Sequence, residues 1–235
     1  MGIFSSVVSG LSSIVSGAAR IGGAIASTVA TVAPVLKPLI EKMHPVGRAV
    51  VGVLEVVGHT LNIFKAGESV SYIGDRALQA AEQDERLVPD NFDDYNQYLD
   101  EIRSIELDPI KTEKNTKDGS ALITGLATVA VGLEKIYDLK EGASADLLKA
   151  VISDPEFFDA NRLKVLVSEN ADFGAIANYI EGKLGNTDTG ALYDKLFVIE
   201  KKHNPAAQQG AFEDALYDVK AKAAATIEEA KGGAE

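Results

Sequence analysis

Residues 1–36 read MGIFSSVVSGLSSIVSGAARIGGAIASTVATVAPVL and contain a single charged side chain, Arg20. Larger apolar residues recur here every three or four positions, which is the period of an α-helix. The opposite face carries serine, glycine and alanine, so it is small and weakly polar rather than charged. We therefore expect a helix whose apolar side contacts neighbouring subunits or a membrane. The anchors expected in this segment are Phe4, Val8, Leu11, Ile14, Ile25 and Val29.

Small residues in the same segment also recur at four-residue steps. These steps are Ser9–Ser13–Gly17 and Ala18–Gly22–Ala26–Ala30. In membranes this spacing lets two helix backbones approach closely. Each glycine costs roughly 1 kcal/mol of helix propensity, so we expect the segment to become ordered on contact with a partner. The adjacent glycines Gly22 and Gly23 predict a bend.

A second apolar segment, residues 46–64, follows three prolines. Pro34, Pro38 and Pro45 predict a connection between the two segments. Residues Val53, Val57 and Leu61 are expected on one contact face of the second segment. We expect both segments to form an apolar helical hairpin, rich in glycine, serine and alanine, over residues 1–66.

The remaining chain has the pattern of further helices. Residues 67–118 predict an acidic helical segment that ends in a solvated linker at 111–119, and residues 119–235 predict a C-terminal helical domain. Within them, helices are expected at 69–86, 90–107, 121–139, 145–152, 155–167, 171–184, 189–202 and 206–231. No run of residues alternates with the period of a β-strand. The sequence therefore predicts an all-α, multi-helix bundle.

The net charge of −12 is unevenly distributed along the chain. Residues 1–66 carry five basic and two acidic side chains, residues 67–118 carry six and fourteen, and residues 119–235 carry twelve and nineteen. An acidic body repels phosphate, so direct nucleic-acid binding is not expected. The absence of cysteine excludes disulfides and thiolate chemistry.

Side chains that could support catalysis or metal binding are scattered. The histidines, His44, His59 and His203, are far apart and show no metal-binding spacing. Acidic residues cluster between Asp90 and Asn96, but the spacing differs from that of a calcium loop and fits the first turn of a helix better. We therefore expect a non-enzymatic protein with no metal and no cofactor.

The chain's N-terminus suggests membrane association without a cleavable signal. It lacks a charged n-region, and its apolar stretch runs past the usual length, so no signal peptide is expected. Gly2 with Ser6 fits the pattern for N-myristoylation, which makes Gly2 a candidate lipidation site. Segments 1–33, 46–64 and 121–139 have the length to span or contact a bilayer, yet each also fits a buried core helix.

The MGIFSS start and the apolar helix after it resemble, in composition, the membrane-active segments of virus and phage structural proteins. That resemblance covers residues 1–36 and implies a structural protein of a particle, located in the virion or another assembly. Its expected partners are copies of itself and a lipid membrane. Two alternatives are an α-helical pore-forming toxin or bacteriocin-like effector, and a helical adaptor whose apolar helices form its core.

Overall fold

The computed structural model describes residues 11–232, which form twelve α-helices and no β-strand. The prediction of an all-α, multi-helix fold is confirmed. The helices are α1 (Ser12–Ile21), α2 (Gly23–Glu41), α3 (Pro45–Thr60), α4 (Val70–Gln83), α5 (Tyr95–Ser104), α6 (Pro109–Lys117), α7 (Ser120–Ile136), α8 (Ala143–Ser153), α9 (Ala160–Ser168), α10 (Phe173–Ile180), α11 (Asn186–His203) and α12 (Gln209–Lys231).

Helix α7 is the central element of the fold. All of its residues from Ser120 to Glu134 are buried except Leu122, and α1 to α6 and α8 surround it. Its closest neighbour is α4. A Cβ atom on Gly74 of α4 would lie 1.9 Å from the carbonyl oxygen of Ala121, and one on Gly125 would lie 1.9 Å from that of Val70. Glycine at both positions is therefore what allows the two backbones to touch.

The N-terminal apolar region contains three helices, and the proposed hairpin is only partly seen. Helix α1 ends at Ile21 and α2 begins at Gly23. The prediction that Pro34 and Pro38 lie in a connection is wrong, since both are inside α2. They lie four residues apart on its half-exposed side, where the carbonyls they leave unpaired are close to solvent. Meanwhile the opposite side of α2 is buried against α7 and α8, which favours continuation of the helix.

The prediction of a solvated linker at 111–119 is also wrong, because most of this stretch is helix α6. Asp108 caps the helix by accepting a hydrogen bond from the Ile110 N–H at 2.8 Å, and Pro109 occupies its first position. No residue of α6 is buried, and its axis makes an angle of 86° with that of α7. The polar composition thus indicated exposure correctly but not the backbone conformation.

Helix α6 is held to the bundle by a buried carboxylate. Asp75 of α4 accepts hydrogen bonds from Thr112 Oγ1 at 2.6 Å and from Asn115 Nδ2 at 2.8 Å. The Gln79 amide donates to the same carboxylate at 3.0 Å and accepts from the Asp108 N–H at 2.8 Å. Hydrogen bonds from three side chains, those of Thr112, Asn115 and Gln79, offset the cost of burying the Asp75 carboxylate.

Two other helices begin later than the sequence suggests. Residues 155–158 form a turn, stabilised by the Asp154 carboxylate, and α9 starts at Ala160 behind the cap Asp159. Similarly, α5 starts at Tyr95 behind the cap Asp94. The sequence offers Asp154 and Asp159 before α9, and Asp90, Asp93 and Asp94 before α5, and in both places the last of these aspartates is the cap.

One cluster of buried apolar side chains runs from Leu11 to Ala230. It includes residues from all three segments predicted as separate units, 1–66, 67–118 and 119–235. These segments therefore share a common core.

Candidate functional site

The predicted contact residues lie mainly inside the chain's own core. Leu11, Ile14, Ile25, Val29 and Val57 are buried. The remaining two within the described range, Val53 and Leu61, are half-buried. In this conformation, contact of the buried anchors with lipid or with another subunit requires their helices to separate from the bundle. Phe4, Val8 and the candidate lipidation site Gly2 lie outside the described residues.

The glycines predicted as a hinge lie where α1 meets α2. Gly22 has φ +72° and ψ −176°, backbone angles that residues with a Cβ atom rarely adopt. Gly23 has φ +49°, and the Asp90 carboxylate lies against it, so that a Cβ there would be 1.9 Å from Asp90 Oδ2. The backbone geometry at both positions therefore requires glycine.

The outer face of α1 and α2 is small and nearly uncharged. It is formed by Ser12, Ser13, Ser16, Ala19, Gly23, Ser27 and Ala30, all exposed. Arg20, beside the α1 part of this face, forms an ion pair with Glu82 of α4 at 2.7 Å, and the Asp90 carboxylate lies against Gly23 at its α2 part. We call these seven residues the small-residue face. It contrasts with the strongly acidic remainder of the molecule.

Helix α2 has the length and composition of a membrane-spanning helix. It has 19 residues, and its most apolar stretch of 18 residues has a mean hydropathy of 1.5. Of this stretch, 44% is buried inside the protein. Helices α6 and α7 taken together are also long and apolar enough to cross a membrane, although they are bent by 86° relative to each other. Core helices of soluble proteins have the same properties, so these values are compatible with either environment.

The strongest ion-pair network lies between the α3–α4 connection and α5. The Arg103 guanidinium donates to both carboxylate oxygens of Glu68, at 2.7 and 2.8 Å, and to the Ile63 carbonyl oxygen at 2.7 Å. Burial raises the pKa of the Glu68 carboxyl, but the hydrogen bond from Arg103 outweighs it together with the neighbouring charges, and the pKa falls below its usual value. This network joins the α3–α4 connection to α5.

The histidines remain separate in the fold. The His44 Nδ1 atom accepts a hydrogen bond from the Val46 N–H at the start of α3, and its Nε2 atom lies 2.7 Å from Glu229. The exposed His59 ring packs edge-on against Phe64, and His203 ends α11. Among residues 11–232, no group of three or more His, Cys, Asp or Glu side chains is arranged to hold a metal ion.

Two adjoining cavities lie at the C-terminal end of α7, the first beside the N-terminal ends of α2 and α8 and the second beside that of α5. The first, of about 260 Å³, is lined by Gly23, Thr28, Asp90, Glu134, Lys135, Glu141 and Ser144 among others. The second, of about 430 Å³, shares Asp90 and Lys135 with it and adds Asp93 and Asp94. We call the two together the acidic groove.

Glu134 is the feature of the acidic groove that sequence reasoning missed. Its side chain is only 3% exposed, and its Oε2 atom accepts a hydrogen bond from the Ser144 N–H at the start of α8, at 2.8 Å. The available signal was its position as the first charged residue of helix α7, after an uncharged stretch from Ser120 to Leu133. Nearby, the hydroxyl groups of Thr28 and Ser144 lie 2.9 Å apart and join α2 to α8.

Comparison of the chain with protein-family models, with curated proteins and with solved structures finds no match.

Proposed function

We propose that this protein is a non-enzymatic structural protein that assembles with copies of itself in a virus or phage particle. The contact is formed by the small-residue face of α1 and α2, which meets the same face of a second copy. The observation that carries the proposal is the contrast between this uncharged exposed face and a body with a net charge of −12.

Electrostatics favours this face as the place where two copies meet. Acidic surfaces of identical subunits repel one another, while a face without net charge can be buried at little electrostatic cost. Small side chains additionally allow helices of two subunits to approach closely. Arg20, beside the α1 part of the face, is already paired with Glu82.

Charge insertion at exposed alanines of the face tests the proposal. Ala19→Glu on α1 and Ala30→Glu on α2 keep good helix formers and bury no new group. We expect the native mass, measured by light scattering, to fall from an oligomer to the 24.8 kDa monomer in both variants. The matched control is Ala191→Glu on the exposed side of α11, which should leave the mass unchanged. A monomeric wild-type protein, or oligomers in all variants, would contradict the proposal.

A pore-forming protein is the second candidate, and the properties of α2 favour it. This helix is long and apolar enough to cross a bilayer, yet it is packed within a bundle against α7 and α8. In such a protein α2 would leave the bundle and enter the membrane. Release of dye from vesicles by the monomer would support this candidate.

A reversible disulfide between α2 and α8 tests whether dye release requires α2 to leave the bundle. The chain has no cysteine, and the Thr28 and Ser144 hydroxyls are 2.9 Å apart, so Thr28→Cys with Ser144→Cys places two thiols at bonding distance. Insertion of α2 predicts leakage that is blocked in the oxidised variant and restored by reductant. Equal leakage in both states would exclude release of α2 from α8.

The third candidate, a helical adaptor whose apolar helices form its core, is favoured by the burial of Ile14, Ile25 and Val29. It predicts that deletion of residues 1–36 unfolds the protein, because this removes apolar side chains from the core. It further predicts that the full-length protein neither assembles with copies of itself nor releases dye from vesicles.

A further inference from the structure

The residue His44 joins the ends of three helices. Its backbone N–H donates to the Leu39 carbonyl oxygen at 2.8 Å, which closes α2 behind Met43, a residue with φ +50°. A left-handed residue followed by this hydrogen bond is a common way to end a helix. The His44 Nδ1 atom accepts a hydrogen bond from the Val46 N–H at 3.2 Å and so opens α3. Its Nε2 atom lies 2.7 Å from the carboxylate of Glu229, near the end of α12.

The two side-chain contacts assign one protonation state to the His44 ring. An imidazole nitrogen that accepts a hydrogen bond from a backbone N–H carries no proton, so Nδ1 is unprotonated. The proton of the neutral ring is then on Nε2, from which it is donated to Glu229. A neutral ring with its proton on Nε2 therefore satisfies the start of α3 and the end of α12 at the same time.

A second proton on the ring has opposite effects at its two ends. In the charged ring both nitrogens are donors, so Nδ1 can no longer accept from the Val46 N–H, and α3 loses its cap. The positive charge also lies at the positive end of the α3 dipole, which is unfavourable. At the other end, the same charge strengthens the hydrogen bond with Glu229. Acidification thus exchanges a helix cap for an ion pair.

The other charged groups around His44 leave this exchange in place. The ring borders a cavity of about 340 Å³ between α3, α12 and the turn after α8, so protons reach it from solvent. In the turn, Asp154 lies 2.8 Å and Glu156 3.8 Å from the Lys222 ammonium group. Lys42 donates to the Glu229 carbonyl oxygen at 2.8 Å, a contact that does not involve the ring. The charged residues on the elements around the ring, besides Glu229, are Glu41, Lys42, Arg48, Asp154, Glu156 and Lys222.

We propose that His44 is a pH-sensitive joint, which holds α3 and α12 together when neutral and releases the start of α3, while keeping α12, when protonated. Imidazole side chains change charge between about pH 5 and 8, so mild acidification operates the joint. The part of the chain that is loosened is the corner between α2 and α3, where Met43 is exposed. This inference does not depend on the proposed assembly function.

Amide hydrogen exchange of the full-length protein tests the proposal. Exchange is followed by NMR between about pH 8 and 5, and the rates are corrected for the intrinsic pH dependence of exchange. Protection of the Val46 amide should fall about fivefold on acidification, which corresponds to the loss of one helix cap. The amide of Ala230, a buried residue near the end of α12, should keep or gain protection. Constant protection of Val46, or an equal loss at Val46 and Ala230, would overturn the proposal.

Three variants identify the group that responds to pH. In His44→Asn the new side chain can cap α3 at every pH, so Val46 should no longer respond. His59→Gln, at an exposed residue near the other end of α3, is the matched control and should keep the response. Glu229→Gln keeps an acceptor for Nε2 but removes the negative charge, so the response should move to lower pH by about 0.1–0.7 pH units. A response that persists in His44→Asn would also contradict the proposal.

Discussion

Gly74 of α4 and Gly125 of α7 bring two helix backbones into direct contact, and a Cβ on Gly74 would lie only 2.4 Å from the Gly125 nitrogen. This contact involves the most deeply buried helix of the protein. Because the atoms that a larger side chain would meet are backbone atoms, they cannot move aside without separating the helices. The packing of the centre therefore depends on these two residues.

Gly74→Ala should destabilise the protein by about 1–3 kcal/mol or more, because the added methyl group overpacks the α4–α7 contact. Unfolding in urea, followed by circular dichroism, measures the effect. The matched control is Gly52→Ala on the exposed face of α3, where no atom lies within 4 Å of the new Cβ. The control should gain about 0.5–1 kcal/mol from helix propensity. An unfolding free energy equal to that of the wild type would show that α4 and α7 can move apart to accommodate the methyl group without loss of stability.

Thr112→Val should loosen α6 while leaving the bundle folded. The substitution keeps the side-chain volume but removes the hydrogen bond to Asp75 and the acceptor for Gln79. We expect faster amide hydrogen exchange in α6, by a factor corresponding to about 1–3 kcal/mol, with little change in α7. Thr116→Val, on the exposed side of the same helix, is the control for propensity. Equal exchange rates in Thr112→Val and Thr116→Val would show that the hydrogen bond to Asp75 does not stabilise α6.

Substitution at the α1–α2 junction should separate backbone strain from side-chain overlap. Gly22→Ala is expected to cost about 1–3 kcal/mol from its backbone angles alone, since no atom lies within 4 Å of its Cβ. Gly23→Ala adds an overlap with the Asp90 carboxylate. Asp90→Ala should therefore recover part of the loss in Gly23→Ala and none of the loss in Gly22→Ala, as measured by thermal unfolding of the single and double variants.

Acidification should remove the contribution of the Glu68–Arg103 pair to stability. The pKa of Glu68 is lower in the folded protein than its usual value of 4.5, so the contribution of the pair is present above that pH and is lost as the pH falls through the folded pKa. The difference in unfolding free energy between wild type and Glu68→Gln should be largest near neutrality and should shrink below about pH 4.5. A difference independent of pH would indicate that packing, rather than charge, accounts for the effect of Glu68.

Hydrophobic periodicity predicted most of the helices because each apolar stripe is buried in one core. Helix α4, for example, begins one residue after the cap Ser69 and lies within the predicted 69–86. The two failures at Pro34 and at residues 111–119 have a common cause. In both, contacts with distant residues stabilise a helix whose local composition disfavours it, through the buried side of α2 in one case and through Asp75 in the other.

The acidic groove could not be predicted because its residues are far apart in sequence. Asp90, Glu134 and Ser144 come from three different parts of the chain and meet only when α2 and α8 pack on α7. The sequence indicated that Glu134 is the first charged residue of an apolar helix, but it carried no information about its hydrogen bond with the Ser144 N–H. By contrast, the glycine break between α1 and α2 depends on local backbone conformation and was visible as two adjacent glycines.

The hydroxyl contact between Thr28 and Ser144 joins residues separated by 116 positions. During synthesis, at about 5–20 residues per second, the apolar side of α2 emerges roughly 6–23 s before α8 can cover it. Throughout that interval the nascent chain offers this surface to any membrane, chaperone or neighbouring nascent chain at the ribosome. The N-terminal helices can therefore bind a partner during synthesis through a surface that is buried once the bundle has folded.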